Sequence, residues 1–221
     1  MYMPQKIDFL TDNGDLKLES FEELSPLIPF STRIISFLDD FSKELKNDID
    51  FLNYPDVAAL SFFCRKANLN QLKKKYINES ATKLGKGTIF HIAPSNVPIN
   101  FAFSLISGIL MGNSNIVRLP SNQFKQINII VDAFNRLCKK KGYKDFLCRN
   151  LLVRYQHDSE ANKIFSLICD VRIIWGGDET INKIRKFQIN PYANDITFSD
   201  RYSICIINSD EFINEKNHDS I

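Results

Sequence analysis

The sequence lacks the residue patterns that mark several common classes of protein. It contains five cysteines, an odd number, and no CxxC pair, so neither a disulfide framework nor a zinc site is indicated. The GxGxxG and Walker patterns of nucleotide-binding loops are absent as well. Reduced thiols in a cytoplasm are the simplest interpretation of this cysteine usage, and we expect no metal site.

An excess of charge of one sign is also missing. The chain has 28 Lys and Arg against 26 Asp and Glu, a net charge of +2, which does not suggest a nucleic-acid binder. The longest apolar stretch, Ile99 to Met111, is interrupted by polar residues and is shorter than the roughly 20 residues of a bilayer span. Because the N-terminus has no apolar segment behind a basic start, we predict neither a membrane span nor a secretory signal.

Apolar residues are plentiful, at 44% of the chain, and suffice for a sizeable core. In the first part of the chain they recur at helical spacing, as in Leu45, Ile49 and Leu52. We therefore predict a mostly helical N-terminal segment over residues 1–80. This segment is expected to pack on the core of a second unit, residues 81–221.

From residue 86 onward, short apolar runs alternate with helical patterns. Continuous apolar strands separated by helices predict an α/β fold with a parallel, Rossmann-like sheet covered on both faces. Ligands of such sheets lie beyond the carboxyl ends of the strands. The predicted strands are Thr88–Ala93, Asn115–Leu119, Leu151–Tyr155, Val171–Trp175 and Ser203–Asn208, and the predicted helices are Pro98–Met111, Gln123–Lys141, Asp158–Ile168 (with Asp158 as its cap) and Asp178–Phe187.

Asn96 follows the first of these strands and stands between Pro94 and Pro98. Prolines on either side restrict the backbone, so the asparagine side chain is held in place. A positioned carboxamide N–H can donate a hydrogen bond to a developing oxyanion. The alternative is a simple turn, because asparagine favours turns in any case.

Arg118 stands at the end of the second predicted strand, directly before Leu119-Pro120. A guanidinium at the mouth of a nucleotide crevice can bind a ribose phosphate through two hydrogen bonds. We therefore expect it to project toward the adenosine end of a dinucleotide rather than into the core. An ordinary surface arginine is the alternative.

A third strand end carries Trp175, Gly176 and Gly177, followed by a helix. Two glycines at this place let a ligand approach the backbone, and the helix N-terminus offers free N–H groups to an anion. Asp178 and Glu179 suit the helix dipole but would oppose a bound phosphate. Trp175 is interpreted as packing beside a cofactor, with a core position as the alternative.

His91 and the cysteines are predicted to be structural. His91 lies inside an apolar strand, so we expect a buried neutral imidazole bonded to the backbone. Cys64 is expected to be a small core hydrophobe, and Cys205 to lie inside the fifth predicted strand. A reactive thiol needs an exposed electropositive site, and no cysteine stands in such a context.

Three segments carry a resemblance to a known family: FHIAPSNVPINFAFSLISGILMGNSNIVRLPS, RIIWGGDETINKIR and FSDRYSICII. The chain resembles the LuxC-type fatty acyl-CoA reductases of the aldehyde dehydrogenase superfamily over roughly residues 30–210. The resemblance implies reduction of a fatty acyl thioester to an aldehyde by NADPH through an acyl-cysteine intermediate. It implies an acyl-CoA or acyl-protein substrate, and it leaves open an acyl-protein synthetase partner and a homo-oligomer.

The resemblance also implies roles for individual residues. Asn96 corresponds to the side-chain half of the oxyanion hole. Arg118 takes the place of a lysine that contacts the adenosine ribose, which would favour NADP over NAD, and Ser121 is near it. Gly176 and Gly177 occupy the pyrophosphate turn.

Two departures from the family pattern shape the functional hypothesis. The glutamate base of the hydrolytic members would fall near Phe198 and is absent, as suits a reductase that must keep water from its thioester. The family's nucleophilic cysteine lies downstream of the YSICII segment, whereas this sequence ends at Ile221.

We therefore interpret the chain as the cofactor-binding portion of an acyl-CoA reductase, inactive alone. The alternatives are a related acylating aldehyde dehydrogenase and a non-catalytic nucleotide-binding or partner subunit.

Overall fold

In the computed structural model, residues 7–12, 21, 23–77, 82–156, 160–200 and 204–206 are described. Their centre is one sheet whose strands run in the order β1-β4-β3-β2-β5-β6. All neighbouring strands are parallel except β1, which pairs antiparallel with β4. The strands are β1 Asp8–Phe9, β2 Thr88–Ile92, β3 Ser114–Arg118, β4 Asn150–Arg154, β5 Val171–Trp175 and β6 Asn194–Phe198.

Helices cover both faces of this sheet. The larger core lies on the face covered by the N-terminal helices, and it takes Val117 and Leu152 from the strands. The smaller core takes Phe90 and Ile116 from the opposite face. The helices are α1 Thr32–Leu45, α2 Pro55–Phe63, α3 Lys66–Tyr76, α4 Asn100–Leu110, α5 Lys125–Cys138, α6 Lys144–Arg149, α7 Ala161–Ile168 and α8 Asp178–Arg185.

The predicted fold class is confirmed: helices precede a mostly parallel α/β sheet. The sequence predicts the four strands β2 to β5 within one residue at each end. The reason is physical, since strands buried on both faces form continuous apolar runs that turn residues interrupt. None of the described helices is long and apolar enough to cross a bilayer.

The fifth predicted strand, Ser203–Asn208, is wrong for the residues that the structure describes. Residues 204–206 form no strand and are exposed, and Cys205 is exposed with them. The edge position beside β5 belongs instead to β6, at Asn194–Phe198. Its side chains alternate between exposed and half-buried, so it carries no apolar run. The predicted helix cap Asp158 lies outside the described residues.

Helical spacing also fails just after α1. Ile49 and Leu52 are 96% and 87% exposed, because the helix ends at Leu45 and a short 3-10 turn, Phe51–Asn53, follows. The short strand β1 and the helix α6 were not predicted either. Cys64, in contrast, is fully buried as expected, and burial raises the pKa of its thiol.

His91 is fully buried, but side chains and not the backbone bind it. Its Nδ1 lies 2.7 Å from Ser104 Oγ and its Nε2 lies 3.0 Å from Asn115 Oδ1. Because Asn115 Nδ2 donates to Asn113 O and to Asn150 Oδ1, Asn115 Oδ1 is free to accept from a protonated Nε2. Nδ1 then accepts from the Ser104 hydroxyl, so the imidazole is neutral, and burial lowers its pKa to about 4.

A second buried polar cluster joins β5 to β6. Arg172 is 1% exposed and donates to both carboxylate oxygens of Asp195, at 2.8 and 2.9 Å. Its remaining terminal nitrogen donates to Ser166 Oγ at 3.0 Å and to the Phe187 carbonyl at 3.1 Å. Every polar group of this guanidinium therefore has a partner, which ties the edge strand to the sheet.

Candidate functional site: a cleft at the strand ends

A cleft of about 660 Å³ lies beyond the carboxyl ends of β2, β3, β5 and β6. All six residues that the sequence analysis singled out line it, because parallel strands bring their carboxyl ends to one edge of the sheet. These residues are Asn96, Arg118, Ser121, Trp175, Gly176 and Gly177.

Asn96 lies exposed in the loop that joins β2 to α4. The loop is held from the neighbouring strand end, where Asn122 Nδ2 donates to the Ser95 carbonyl at 3.5 Å. Among the described residues no hydrogen bond to the Asn96 carboxamide is formed, and the residue lines the cleft. Its position is compatible with the predicted oxyanion donor, and that role stays a prediction.

Arg118 is not the exposed cation that its place at a strand end suggested. Its side chain is 3% exposed, and its Nη2 donates to the Tyr155 carbonyl at 3.3 Å. The guanidinium carbon lies 5.0 Å from the centre of the Tyr155 ring, within the range of a cation–π contact. Burial lowers the pKa of this guanidinium, and arginine side chains stay protonated in proteins.

One atom of this buried arginine has no partner among the described residues. Arg118 Nε is shielded from solvent and forms no hydrogen bond. An unpaired buried donor costs about 1–3 kcal/mol, so such groups usually meet a ligand, an ion or a water. Since Arg118 lines the cleft, the natural partner is an acceptor atom of a ligand.

Trp175 forms the opposite wall of the cleft. Its ring stacks on Phe198, with 4.0 Å between the ring centres and 12° between the ring planes. Its indole Nε1 is the second buried nitrogen without a partner in the described part of the chain. Trp175 and Arg118 stand on either side of β2, two strand spacings apart, which is about 10 Å.

Gly176 and Gly177 connect β5 to α8. Gly176 has a φ of 155°, and a Cβ there would lie 3.2 Å from the Thr180 side chain. A Cβ on Gly177 would lie 2.6 Å from a carboxylate oxygen of Asp200, so the bare backbone makes room for that carboxylate. Gly177 is also the N-cap of α8, and within the described residues no side-chain cap bonds that helix end.

Sequence reasoning missed Asp200 as part of the site. Its carboxylate lies against the N-terminus of α8, where Asp178 and Glu179 already occupy the first turn. A diphosphate at this helix end would meet the dipole and free N–H groups, but it would have to displace Asp200. Asp200 stands two residues after the end of β6, and it was missed because β6 itself was not predicted.

No cysteine lines the cleft, although all five belong to the described residues. Cys64, Cys138 and Cys169 are buried, and burial raises the pKa of the last two to about 12. Cys148 and Cys205 are exposed, and Cys205 does not lie inside a strand as predicted; that all five are structural stays a prediction. Within the described ranges no cluster of His, Cys, Asp or Glu could hold a metal ion.

A smaller hollow of about 290 Å³ adjoins the cleft. Ser121 is exposed and lines both spaces, and Tyr155, which holds Arg118, lines the hollow. The other lining residues are Asp8, Arg154 and Gln156.

Known structures share this architecture. A glyceraldehyde-3-phosphate dehydrogenase from Methanocaldococcus jannaschii in complex with NADP matches with a TM-score of 0.60 and 16% identity, over 82% of this chain and 44% of that one. A betaine aldehyde dehydrogenase from Staphylococcus aureus in complex with NAD⁺ matches with a TM-score of 0.59 and 16% identity, over 82% of this chain and 40% of that one. The fold is therefore that of aldehyde dehydrogenases.

Sequence comparison gives a narrower result. Long-chain acyl-protein thioester reductases from Photorhabdus laumondii and Aliivibrio fischeri are 29% and 27% identical, over 56% and 55% of this chain. The matched region spans 25% of the length of each of these relatives. The model of the family described as acyl-CoA reductase (LuxC) matches residues 32–220, which include every strand of the cleft, and the chain belongs to that family.

Proposed function

We propose that this chain is the cofactor-binding portion of an acyl-CoA reductase that reduces a fatty acyl thioester to an aldehyde with NADPH. The observation that carries the proposal is the cleft itself. Six residues from three chain segments line it, and two of them contribute buried N–H groups without partners among the described residues. The thioester reductases among its relatives, and the dinucleotides in related folds, support the proposal.

The residues of the cleft fit a nicotinamide dinucleotide. Gly176, Gly177 and the N-terminus of α8 would hold the diphosphate once the Asp200 carboxylate has moved away from Gly177, and Arg118 Nε would donate to an acceptor at the adenosine end. Trp175 and Ser121 would line the two ends of the dinucleotide. When bound, the nicotinamide would supply the electrons for the reduction.

The acyl group would be carried by a cysteine sulfur. In the first step the thiol attacks the acyl carbon, a new C–S bond forms, and the acyl carrier leaves as a thiol. In the second step the acyl carbon gains two electrons and two protons are taken up, so that the C–S bond breaks and aldehyde and thiol are released. Since none of this chain's cysteines lines the cleft, we place the nucleophile outside this chain.

Asn96 and Phe198 would serve these steps in different ways. The Asn96 carboxamide would donate a hydrogen bond to the acyl oxygen as negative charge develops on it. Phe198, at the end of β6, cannot accept a proton from water, so the thioester would be protected from hydrolysis.

The surroundings of the reaction are proposals as well. The substrate would be an acyl-CoA or an acyl-protein, with an acyl-protein synthetase and further copies of the enzyme as candidate partners. The five cysteines, none in a disulfide, agree with a cytoplasmic location.

Calorimetric titration of the purified chain with NADPH and NADH tests the proposal, together with an assay for NADPH oxidation by acyl-CoA. We expect dinucleotide binding without turnover, and no hydroxylamine-sensitive acyl-enzyme. Failure to bind either dinucleotide would overturn the cofactor assignment. Stoichiometric acylation of Cys205 or Cys148, the two exposed thiols, would show that the chain carries its own nucleophile.

A further inference from the structure

The cleft and the hollow adjoin at Ser121, which lines both. Tyr155 lies between Arg118 and the hollow, because its ring packs against the Arg118 guanidinium and the residue also lines the hollow. A ligand that meets Arg118 Nε at the β3 end of the cleft can therefore extend toward the end of β4.

Arg118 itself cannot offer a free guanidinium to a second group. One terminal nitrogen is committed to the Tyr155 carbonyl, the plane is packed on the Tyr155 ring, and 3% of the side chain is exposed. Nε is the one buried side-chain nitrogen of Arg118 without a partner among the described residues. Both guanidinium edges that can hold a phosphate through two parallel hydrogen bonds include Nη2. Because Nη2 already donates to the Tyr155 carbonyl, Arg118 suits a single acceptor.

Arg154 offers what Arg118 lacks. It ends β4, the strand beside β3, and its side chain is half-buried in the hollow. Its Nε donates to the Pro120 carbonyl at 3.1 Å, which anchors the side chain at the strand end. Both terminal nitrogens are without a partner among the described residues, so they form a positioned pair of donors.

The hollow also contains one carboxylate. Asp8 is the residue paired with Arg154 across the antiparallel β1–β4 ladder, so both side chains lie on the same face of the sheet. Asp8 is exposed, and no ion pair links it to Arg154 within the described residues. An anion bound at Arg154 would therefore feel one attractive and one repulsive charge at close range.

We propose that this hollow is the subsite for a phosphate on the adenosine ribose, bound by Arg154 with Ser121, and that Asp8 limits its affinity. This inference rests on the proposed function, since it assumes a dinucleotide in the adjoining cleft. It moves the recognition of the 2′-phosphate from Arg118, where the sequence placed it, to the next strand end. Arg118 then serves NADPH and NADH alike.

The test is calorimetric titration of the whole chain with NADPH, NADH, adenosine 2′,5′-bisphosphate and 5′-AMP. A hydrogen-bonded contact with a charged group corresponds to roughly a ten- to hundredfold change in affinity. Arg154→Ala should weaken NADPH and the bisphosphate by about that factor, and NADH and 5′-AMP by less than about twofold. Arg154→Lys, which keeps the charge but not the paired donors, should fall between these values.

Asp8→Asn should change NADPH affinity in the direction opposite to Arg154→Ala. Removal of the carboxylate should tighten NADPH binding by about three- to tenfold and leave NADH unchanged, and added salt should narrow that difference. Lys46→Ala, which removes an exposed positive charge at the end of α1, is the matched control and should change nothing.

The outcomes separate this inference from the proposed function. If NADPH and NADH bind but Arg154→Ala weakens both equally, or if Asp8→Asn loosens NADPH, the subsite is wrong while the dinucleotide cleft stands. If the chain binds NADPH and NADH with equal affinity, the hollow does not bind the 2′-phosphate and the inference fails. If neither dinucleotide nor fragment binds, the proposed function falls, and this inference falls with it.

Discussion

Buried polar groups behave differently in two regions of this molecule. Between the strands and beneath α4, Arg172 and His91 have a partner for every nitrogen. At the strand ends, Arg118 and Trp175 each keep one buried N–H that has no partner in the part of the chain that the structure describes. Folding thus provides hydrogen-bond partners for the buried N–H groups of the first region but not for those of the second. This is expected when the missing acceptors belong to a ligand. The following predictions test that difference.

The largest effect is expected at Arg172. Arg172→Met removes the paired cation of Asp195 and leaves it only the longer contact with Arg185 Nε at 3.7 Å, so the free energy of unfolding should fall by about 3 kcal/mol. The measurement is urea unfolding, with Asp195→Asn and the double variant to complete a cycle. If the double variant were no more stable than the sum of the single changes implies, the pair would not be coupled.

His91 should make stability depend on pH. Its pKa falls from 6.5 to about 4 on burial, so the unfolded chain binds the proton more tightly than the folded one. The contribution of His91 to the free energy of unfolding is therefore fully present above pH 6.5. It falls by about 1.4 kcal/mol per pH unit as the pH drops from 6.5 toward 4. Urea unfolding of wild type and of His91→Gln across this range should show that slope only in the wild type. Parallel curves would mean that the imidazole is not held neutral.

Arg118 should matter less to stability than to binding. Arg118→Met removes one hydrogen bond and a cation–π contact but relieves an unpaired buried donor, so unfolding should change by about 1 kcal/mol or less. Affinity for NADPH and for NADH should fall together, by about tenfold. A loss of stability as large as that of Arg172→Met would place Arg118 among the structural groups.

Trp175→Phe is expected to have the smallest effect. The ring can still stack on Phe198, so stability should change by less than about 0.5 kcal/mol. The lost N–H should lower dinucleotide affinity by about three- to tenfold. Calorimetry measures the affinity, and Phe198→Leu, which disturbs the stack but keeps the indole, is the control. Unchanged affinity in Trp175→Phe would remove the indole from the ligand contacts.

The sequence predicts the site better than it predicts its details. Apolar runs and turn residues locate β2 to β5, and parallel pairing then brings Asn96, Arg118 and Gly176 to one edge. The orientation of Arg118 could not be predicted, because it depends on Tyr155, 37 residues later in the chain. Local sequence gives no sign of a contact at that distance.

The edge of the sheet escaped prediction for a related reason. The strand β6 contains Asp195, a charged residue that argues against a strand in the sequence. Its place in the sheet is explained by Arg172, which lies opposite it on β5 and binds its carboxylate. The segment ICI, residues 204–206, has high strand propensity, but it is exposed and pairs with none of the described strands. Ile49 and Leu52 show the same limit, because helical spacing cannot reveal that the helix has already ended.

The stack of Trp175 on Phe198 also has a practical consequence. The chain contains a single tryptophan, and its ring forms a wall of the cleft. The tryptophan fluorescence of the whole protein therefore comes from this one position. Its emission wavelength and intensity report the polarity and occupancy of the cleft without an attached dye, so the protein has an intrinsic fluorescent probe where a ligand would bind.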